Sequence, residues 1–324
     1  MKKQIFLSLA ALVIATMSYA QSNLVATLSH EGEISVFHGA GSLGQALEAA
    51  DHGDIITLAS GRYNAANITK AITLRGAGME EDTSTGTFRT QIVGNFDINI
   101  PESIDEHLTI EGIYHETTIY MYGILSNAML QKCRFASINY SSYNNTVSSL
   151  TCINCQITGS ISLPENTSAT FINSILNYPS NRNGNMEFVN SIITGYYLNG
   201  IRNSSFTNCL FYIENNGYGY LDGTNSAVNC VGKGDPFRNL PISTNVTLSE
   251  EDFNALFKEG SFYELTDESK AKYVGLDGTE IGIYGGNLPW NTRILSPQIT
   301  KCNVAAKTTA DGKLSVDIEV KAAE

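Results

Sequence analysis

The sequence predicts an all-β chain wound as a parallel β-helix solenoid, with short capping helices and a C-terminal β-hairpin tail. Three observations carry that prediction. A unit of apolar residue, spacer, asparagine and small Cys or Ser returns in "FINSILNY" (171–178), "FVNSIITG" (188–195), "FTNCLFYI" (206–213) and "AVNCVGKG" (227–234). The small residue, or its equivalent, falls at Gly76, Gly94, Gly112, Cys133, Cys155, Ser174, Ser191, Cys209 and Cys230, in steps of 17 to 22. A period near twenty carrying short β-patterned runs marks a solenoid, and the Leu-x-x-Leu-x-Leu frame of leucine-rich repeats is absent. Finally, only 16% of residues are charged while Asn, Ser, Thr, Gly and Tyr abound, the composition of strands and turns. Nine positions imply about nine coils.

Before the coils, residues 1–20 read as a signal peptide. Lys2 and Lys3 lead an apolar run, Ile5 to Ala15, that is too short to span a bilayer, and Ser18-Tyr19-Ala20 is a small-residue cleavage site. The mature chain is therefore expected to be exported, whether periplasmic, cell-surface or extracellular, with no membrane span. Its formal net charge, −12 with the two leader lysines, argues against a nucleic-acid partner, which needs a basic footprint. Residues 21–291 should form the β-helix with its caps, and residues 292–324 the tail.

At the start, "GSLGQALEAADHG" reads as a cap helix. Ser42 and Gln45 would form a capping box, and Leu43, Ala46, Leu47 and Ala50 share one face. Within the coils, side chains alternate between faces. Ala169 and Phe171 should point inward, as should Ser174 and Leu176 after a bend, and Phe171, Phe188 and Phe206 should stack. Asn154, Asn173, Asn190, Asn208 and Asn229 fall at the bend, where asparagine tolerates left-handed backbone and can form a ladder. Beyond Gly234 the repeat dissolves. "SEEDFNALFKEG" offers a short helix, starting at Ser249 with Phe253, Leu256 and Phe257 on one face, to cover the distal end. The tail reads as two strands joined at Asp311-Gly312.

"LGQALEAADHGDIITLASGRYN" followed by "ITKAITLRGAG" resembles the opening coils of right-handed β-helix proteins with the pectin-lyase-like fold. Asp235-Pro236-Phe237 and the later "DGTEIGIYGG" are similar to the closing segment of secreted bacterial proteins of that group. The resemblance spans roughly Leu43 to Gly286. It implies a right-handed helix and export, on a fold that hosts lyases, hydrolases, epimerases, adhesins and inert spacers.

Among the activities this fold hosts, pectate and alginate lyases use a Lys or Arg base beside Ca²⁺ or another basic residue that neutralises a uronate. Calcium needs clustered carboxylates, and the repeat acids (Asp97, Glu111, Glu116, Glu165, Glu187, Glu214, Asp222) are scattered. Arg182 and Arg202 are the candidate bases for that reading. The Asn-Thr-Asp, Asp-Asp and Gly-His-Gly strings of β-helix glycosidases do not occur. Cys152-Ile-Asn-Cys155 has redox or zinc spacing but lies on structural positions, and none of the five His shows metal spacing; His115 reads as a surface turn residue. No cofactor is expected, with Ca²⁺ entering only if the chain is a lyase.

Tyrosine is in excess, with 16 in the chain. In "TTIYMYG", Ile119 and Met121 should face inward and Tyr120 and Tyr122 outward, while Tyr140 should turn inward beside Ile138. An outward set of Tyr120, Tyr122, Tyr143, Tyr178, Tyr197, Tyr218 and Tyr220, with Asn, Ser and Arg around it, suits sugar, because rings stack on pyranose C–H faces. The function read from the sequence is non-catalytic binding of a polysaccharide or cell-surface glycan. A lyase acting on a uronate polymer and a purely structural stalk are the alternatives.

Overall fold

The computed structural model describes residues 24–83, 86–100, 106–123, 127–140, 149–163, 167–177, 179, 185–198, 200–214, 219–240, 244–294, 298–304, 307, 312–313 and 315–321. It is a parallel β-helix. One sheet has 11 strands and the other 12, and their parallel ladders run coil upon coil.

Strand register fixes what stacks on what. In the first sheet, Ile56, Leu74, Ile110, Leu130, Cys152, Phe171, Phe188, Phe206 and Ala227 form one inward column. Phe188 lies 5.1 Å from Phe171 and 4.6 Å from Phe206, ring planes 14° and 2° apart. In the second sheet, Tyr63, Ile92, His115, Phe135, Ile157, Leu176, Ile193, Phe211 and Gly232 stack likewise. His115 is therefore an interior residue, 1% exposed, and not a surface turn residue. It survives burial because both ring nitrogens are bonded: Nδ1 with Ile92 O and Nε2 with Thr117 Oγ1, each at 2.9 Å.

The bend column corrects the repeat count. Continuing the ladder registers by one residue aligns Gly76, Gly112, Lys132, Asn154, Asn173, Asn190, Asn208 and Asn229. Gly76 and Gly112 therefore stand in the asparagine position, not the small-residue position. Gly94 is not in the column; it follows a strand of the second sheet, Thr90–Val93. The coil from Gly76 to Gly112 is one long turn, and the stack makes about seven turns instead of nine. All of these residues from Gly112 onward have positive φ, from 48° to 67°, the region Gly and Asn reach at least cost.

Beside the bend runs Cys133, Cys155, Ser174, Ser191, Cys209 and Cys230, all buried. Each group donates to the carbonyl two residues back, as Ser174 Oγ does to Ile172 O at 2.9 Å. Members also accept from the coil below: Cys155 N donates to Ser174 Oγ, and Ser174 N to Ser191 Oγ, both at 3.1 Å. A thiol or hydroxyl on a single carbon fits this relay and a larger group would not, so Cys and Ser interchange.

Before the first coil stands a hairpin that the sequence reading missed, Val25–His30 paired antiparallel with Glu33–His38, its turn made by Glu31 and Gly32 at φ 48° and 88°. Val25–His30 also pairs antiparallel with Ile55–Leu58. Helix α1, Ser42–Ala49, buries Leu43, Ala46 and Leu47 over this end. The expected capping box does not form: Gly41 is the N-cap with no side-chain bond, and Ser42 sits buried one residue inside the helix.

The distal end is plugged by Pro236 and Phe237, whose ring meets Phe211 edge-on at 5.1 Å. A Cβ on Gly232 would collide with Pro236, so glycine leaves that plug its room. Helix α2 (Glu250–Asn254) does not cover this opening as expected, and a further helix, α3 (Asp267–Lys272), follows it. With the chain up to Trp290 they lie on the outside of the second sheet, where Phe253, Leu256, Leu265, Ile281 and Ile283 bury Ile175, Ile192, Leu210 and Val231. Ser249 Oγ caps α2 by accepting from Asp252 N at 3.1 Å.

From this lobe, residues 274–294 run back along the bend column as a strap. Asn229 Nδ2 donates to Asn208 Oδ1 and to Val274 O, both at 2.9 Å. Leu276 N donates to Asn208 Oδ1 at 3.0 Å, and Asn173 Nδ2 to Ile283 O and Gly285 O at 2.8 and 2.7 Å. Lys132 Nζ ends the series on Arg293 O at 2.6 Å. The asparagine ladder thus binds a second segment of the chain more than it binds itself. In the tail, Gln298–Val304 and Val316–Lys321 pair antiparallel, as expected.

Candidate functional site

The strand Ile113–Gly123 builds the first candidate surface. Ile119 and Met121 are buried, and alternation turns Tyr120 (38% exposed) and Tyr122 outward, as read from the sequence. Their rings lie 6.3 Å apart with planes 15° from parallel. Flanking strands supply polar neighbours at fixed register: Asp97 and Asn139 on either side of Tyr120, and Asn99 beside Tyr122. Partial burial, then the charge of Asp97, holds the Tyr122 phenol above its usual value. One Asp97 carboxylate oxygen is buried without a hydrogen-bond partner among the described residues.

Four ladder steps along the second sheet, about 19 Å at ~4.8 Å per step, Tyr196 and Tyr197 follow the strand Ile192–Gly195. They are 42% and 54% exposed, with ring centroids 6.5 Å apart. Tyr220 sits near the distal end under the Arg238 guanidinium, 3.7 Å from its ring centre. Tyr143, Tyr178 and Tyr218, the Tyr140 side chain and Arg182 lie outside the described residues. Arg202 is exposed and lends its charge to Asp222, whose carboxyl is held low chiefly by the Thr224 backbone N–H.

A second surface carried no aromatic signal and was missed. Across the outer face of the first sheet lies an open trough of about 590 Å³, within the usual ligand range, lined by Ser168, Thr170, Asn185, Glu187, Ser205 and Ser226. Its sign in the sequence was the hydroxyl or amide at outward positions of "SATFI", "NMEFV" and "SFT". No family model, curated protein or solved structure matches the chain.

The arrangement nearest to lyase chemistry is distal, where Glu214, Tyr220, Lys233, Asp235 and Arg238 line a cavity of about 20 Å³. That is room for a water and not for a sugar ring. Lys233 donates to Glu250 at 2.6 Å, and this bond raises its pKa, the wrong direction for a general base. Among the described residues no group of three or more His, Cys, Asp or Glu is placed to hold a metal.

The Cys152–Cys155 pair divides between two columns, Cys152 in register with Phe171 and Cys155 with Ser174, which is the structural role its spacing concealed. All five described cysteines are free and buried. Burial pushes the thiols of Cys133, Cys152 and Cys209 well above the normal range, away from the thiolate needed for redox or zinc chemistry.

Proposed function

We propose that this chain is an exported, non-catalytic β-helix of the pectin-lyase-like group that binds a polysaccharide or cell-surface glycan through the surface centred on Tyr120 and Tyr122. The observation that carries the reading is the near-parallel pair itself: two phenol rings 6.3 Å apart on a rigid strand, edged by Asp97, Asn99 and Asn139. Rings offer faces to sugar C–H groups, while amides and a carboxylate meet hydroxyls. Being set by sheet register, the contact is organised before ligand arrives and loses little entropy on binding.

The test uses protein recovered from the periplasm or culture medium, with its N-terminus confirmed at Gln21, applied to a glycan array. Tyr120→Ala combined with Tyr122→Ala should weaken retention about tenfold, from ~0.5–1.5 kcal/mol per ring, with an unchanged circular dichroism spectrum. Unaltered retention by the double variant would defeat the reading. Release of ultraviolet-absorbing unsaturated uronates from pectin or alginate would replace it with the lyase.

A further inference from the structure

We propose that the outer face of the second sheet carries an oxyanion site built on Arg89, Tyr114 and Arg134, which takes a carboxylate or sulfate group of a saccharide chain. The inference rests on the glycan-binding reading and names the class of ligand.

Register places Gln91, Tyr114 and Arg134 on consecutive coils in one column. The next residue of each strand, Ile92, His115 or Phe135, faces the interior. Alternation therefore turns this column outward. The Arg89 guanidinium carbon stands 3.8 Å from the Tyr114 ring centre and that of Arg134 5.6 Å from the same centre. Both lie within cation–π reach of one ring. Two guanidinium forks gathered at one ring suit bidentate recognition of a carboxylate or sulfate.

The charge distribution points the same way. The chain has 32 acidic and 20 basic residues, so an arginine should find an acid readily. Yet two cations share one ring, and the one carboxylate beside them, Glu116, reaches Arg89 only at 4.0 Å, while its Oε1 also accepts from Gln91 Nε2 at 2.9 Å and the Tyr114 hydroxyl at 3.5 Å. Arg134 has no carboxylate within ion-pair distance among the described residues. Further along the column the outward residue becomes Ile175, Ile192 and Leu210, which the lobe buries. The charged rungs are the open ones. Tyr114 and Tyr120 stand on one strand, Ile113–Gly123, six residues and at most ~20 Å apart at ~3.3 Å per residue, with a register shift between them.

Affinity electrophoresis of the full chain in gels containing polygalacturonate, dextran sulfate or plain dextran tests this. At least one polyanion should retard the protein more than dextran does, with the better one identifying carboxylate or sulfate, and added salt should weaken the effect. Arg89→Gln and Arg134→Gln should each weaken polyanion binding by about 10- to 150-fold, from ~1.5–3 kcal/mol for a charged hydrogen bond. Arg134→Lys, which keeps the charge but loses the fork, should fall with them, and Glu116→Gln should strengthen binding. Lys272→Gln, exposed on helix α3 of the lobe, should change nothing. Equal retardation by dextran and both polyanions, or full binding by Arg89→Gln and Arg134→Gln, overturns the oxyanion site. If the tyrosine double variant alone loses binding, the oxyanion site fails and the Tyr120–Tyr122 surface stands. If the arginine variants alone lose it, the reverse holds, and retardation by none of the three polymers overturns both.

Discussion

Replacing Asn173 tests the claim that the bend column exists to hold the strap. Asn173 is fully buried, has φ 48°, and donates from Nδ2 to two strap carbonyls at 2.8 and 2.7 Å. At ~1 kcal/mol net per hydrogen bond, loss of both costs about 2 kcal/mol. Asn173→Gly should show that loss alone, because glycine accepts the left-handed backbone. Asn173→Ala should be costlier than Asn173→Gly, by up to about 1–2 kcal/mol, because alanine keeps a Cβ in that region without the amide that makes it tolerable in asparagine. Asn173→Asp should be worse than glycine, since a carboxylate would face two carbonyl oxygens in a buried site. Amide hydrogen exchange and limited proteolysis read the effect locally: strap amides near Ile283 and Gly285 should lose protection in all three variants, while the Phe171–Phe188 strands retain theirs. Global denaturation ranks the three costs. An alanine variant no weaker than glycine, or a strap still protected in Asn173→Asp, would refute the reasoning.

Two further outcomes follow from the buried thiols and from the N-terminal hairpin. Cys133, Cys152, Cys155, Cys209 and Cys230 should resist a thiol reagent in the native protein and react together once it unfolds; rapid native labelling of Cys152 or Cys155 would contradict their interior placement. His30 Nδ1 lies 2.9 Å from Asp54, and that hydrogen bond raises its pKa above 6.5. A raised cation contributes stability that is full below pH 6.5 and lost as pH climbs through the higher folded value. Hairpin amide protection should therefore fall over that interval, and Asp54→Asn should remove the dependence.

The interior was legible because stacking makes similar demands of residues about twenty apart. Phe171, Phe188 and Phe206, the asparagines at positive φ and the small relay residues all stand where periodicity puts them. Gly94 misled because the coil from Gly76 to Gly112 is twice the usual length and happens to carry a glycine halfway. The N-terminal hairpin pairs against the repeat, antiparallel, so no period reports it, although "VATLSHEGEISVFH" has the alternation and turn. His115 was misplaced because polarity alone was weighed, whereas its strand position faced inward and both nitrogens found partners.

Outward chemistry was harder to read. Alternation gave Tyr120 and Tyr122, but the Arg89–Tyr114–Arg134 group appears only when neighbouring coils are laid in register. A sign of the lobe was nevertheless in the sequence. The residue after the small position is polar at Arg134 and Gln156, then apolar at Ile175, Ile192, Leu210 and Val231. Two successive apolar residues in a strand with one face inside mean that the other face is covered as well.

A solenoid whose coils touch only their neighbours can fray one coil at a time. Here a cord sewn lengthwise links the coil of Asn229 to that of Lys132, joining residues 161 apart in sequence at its far stitch. Peeling the last coil must first break the Asn229 stitch, so the coils between Asn229 and Lys132 gain a tie that neighbour contacts alone do not supply.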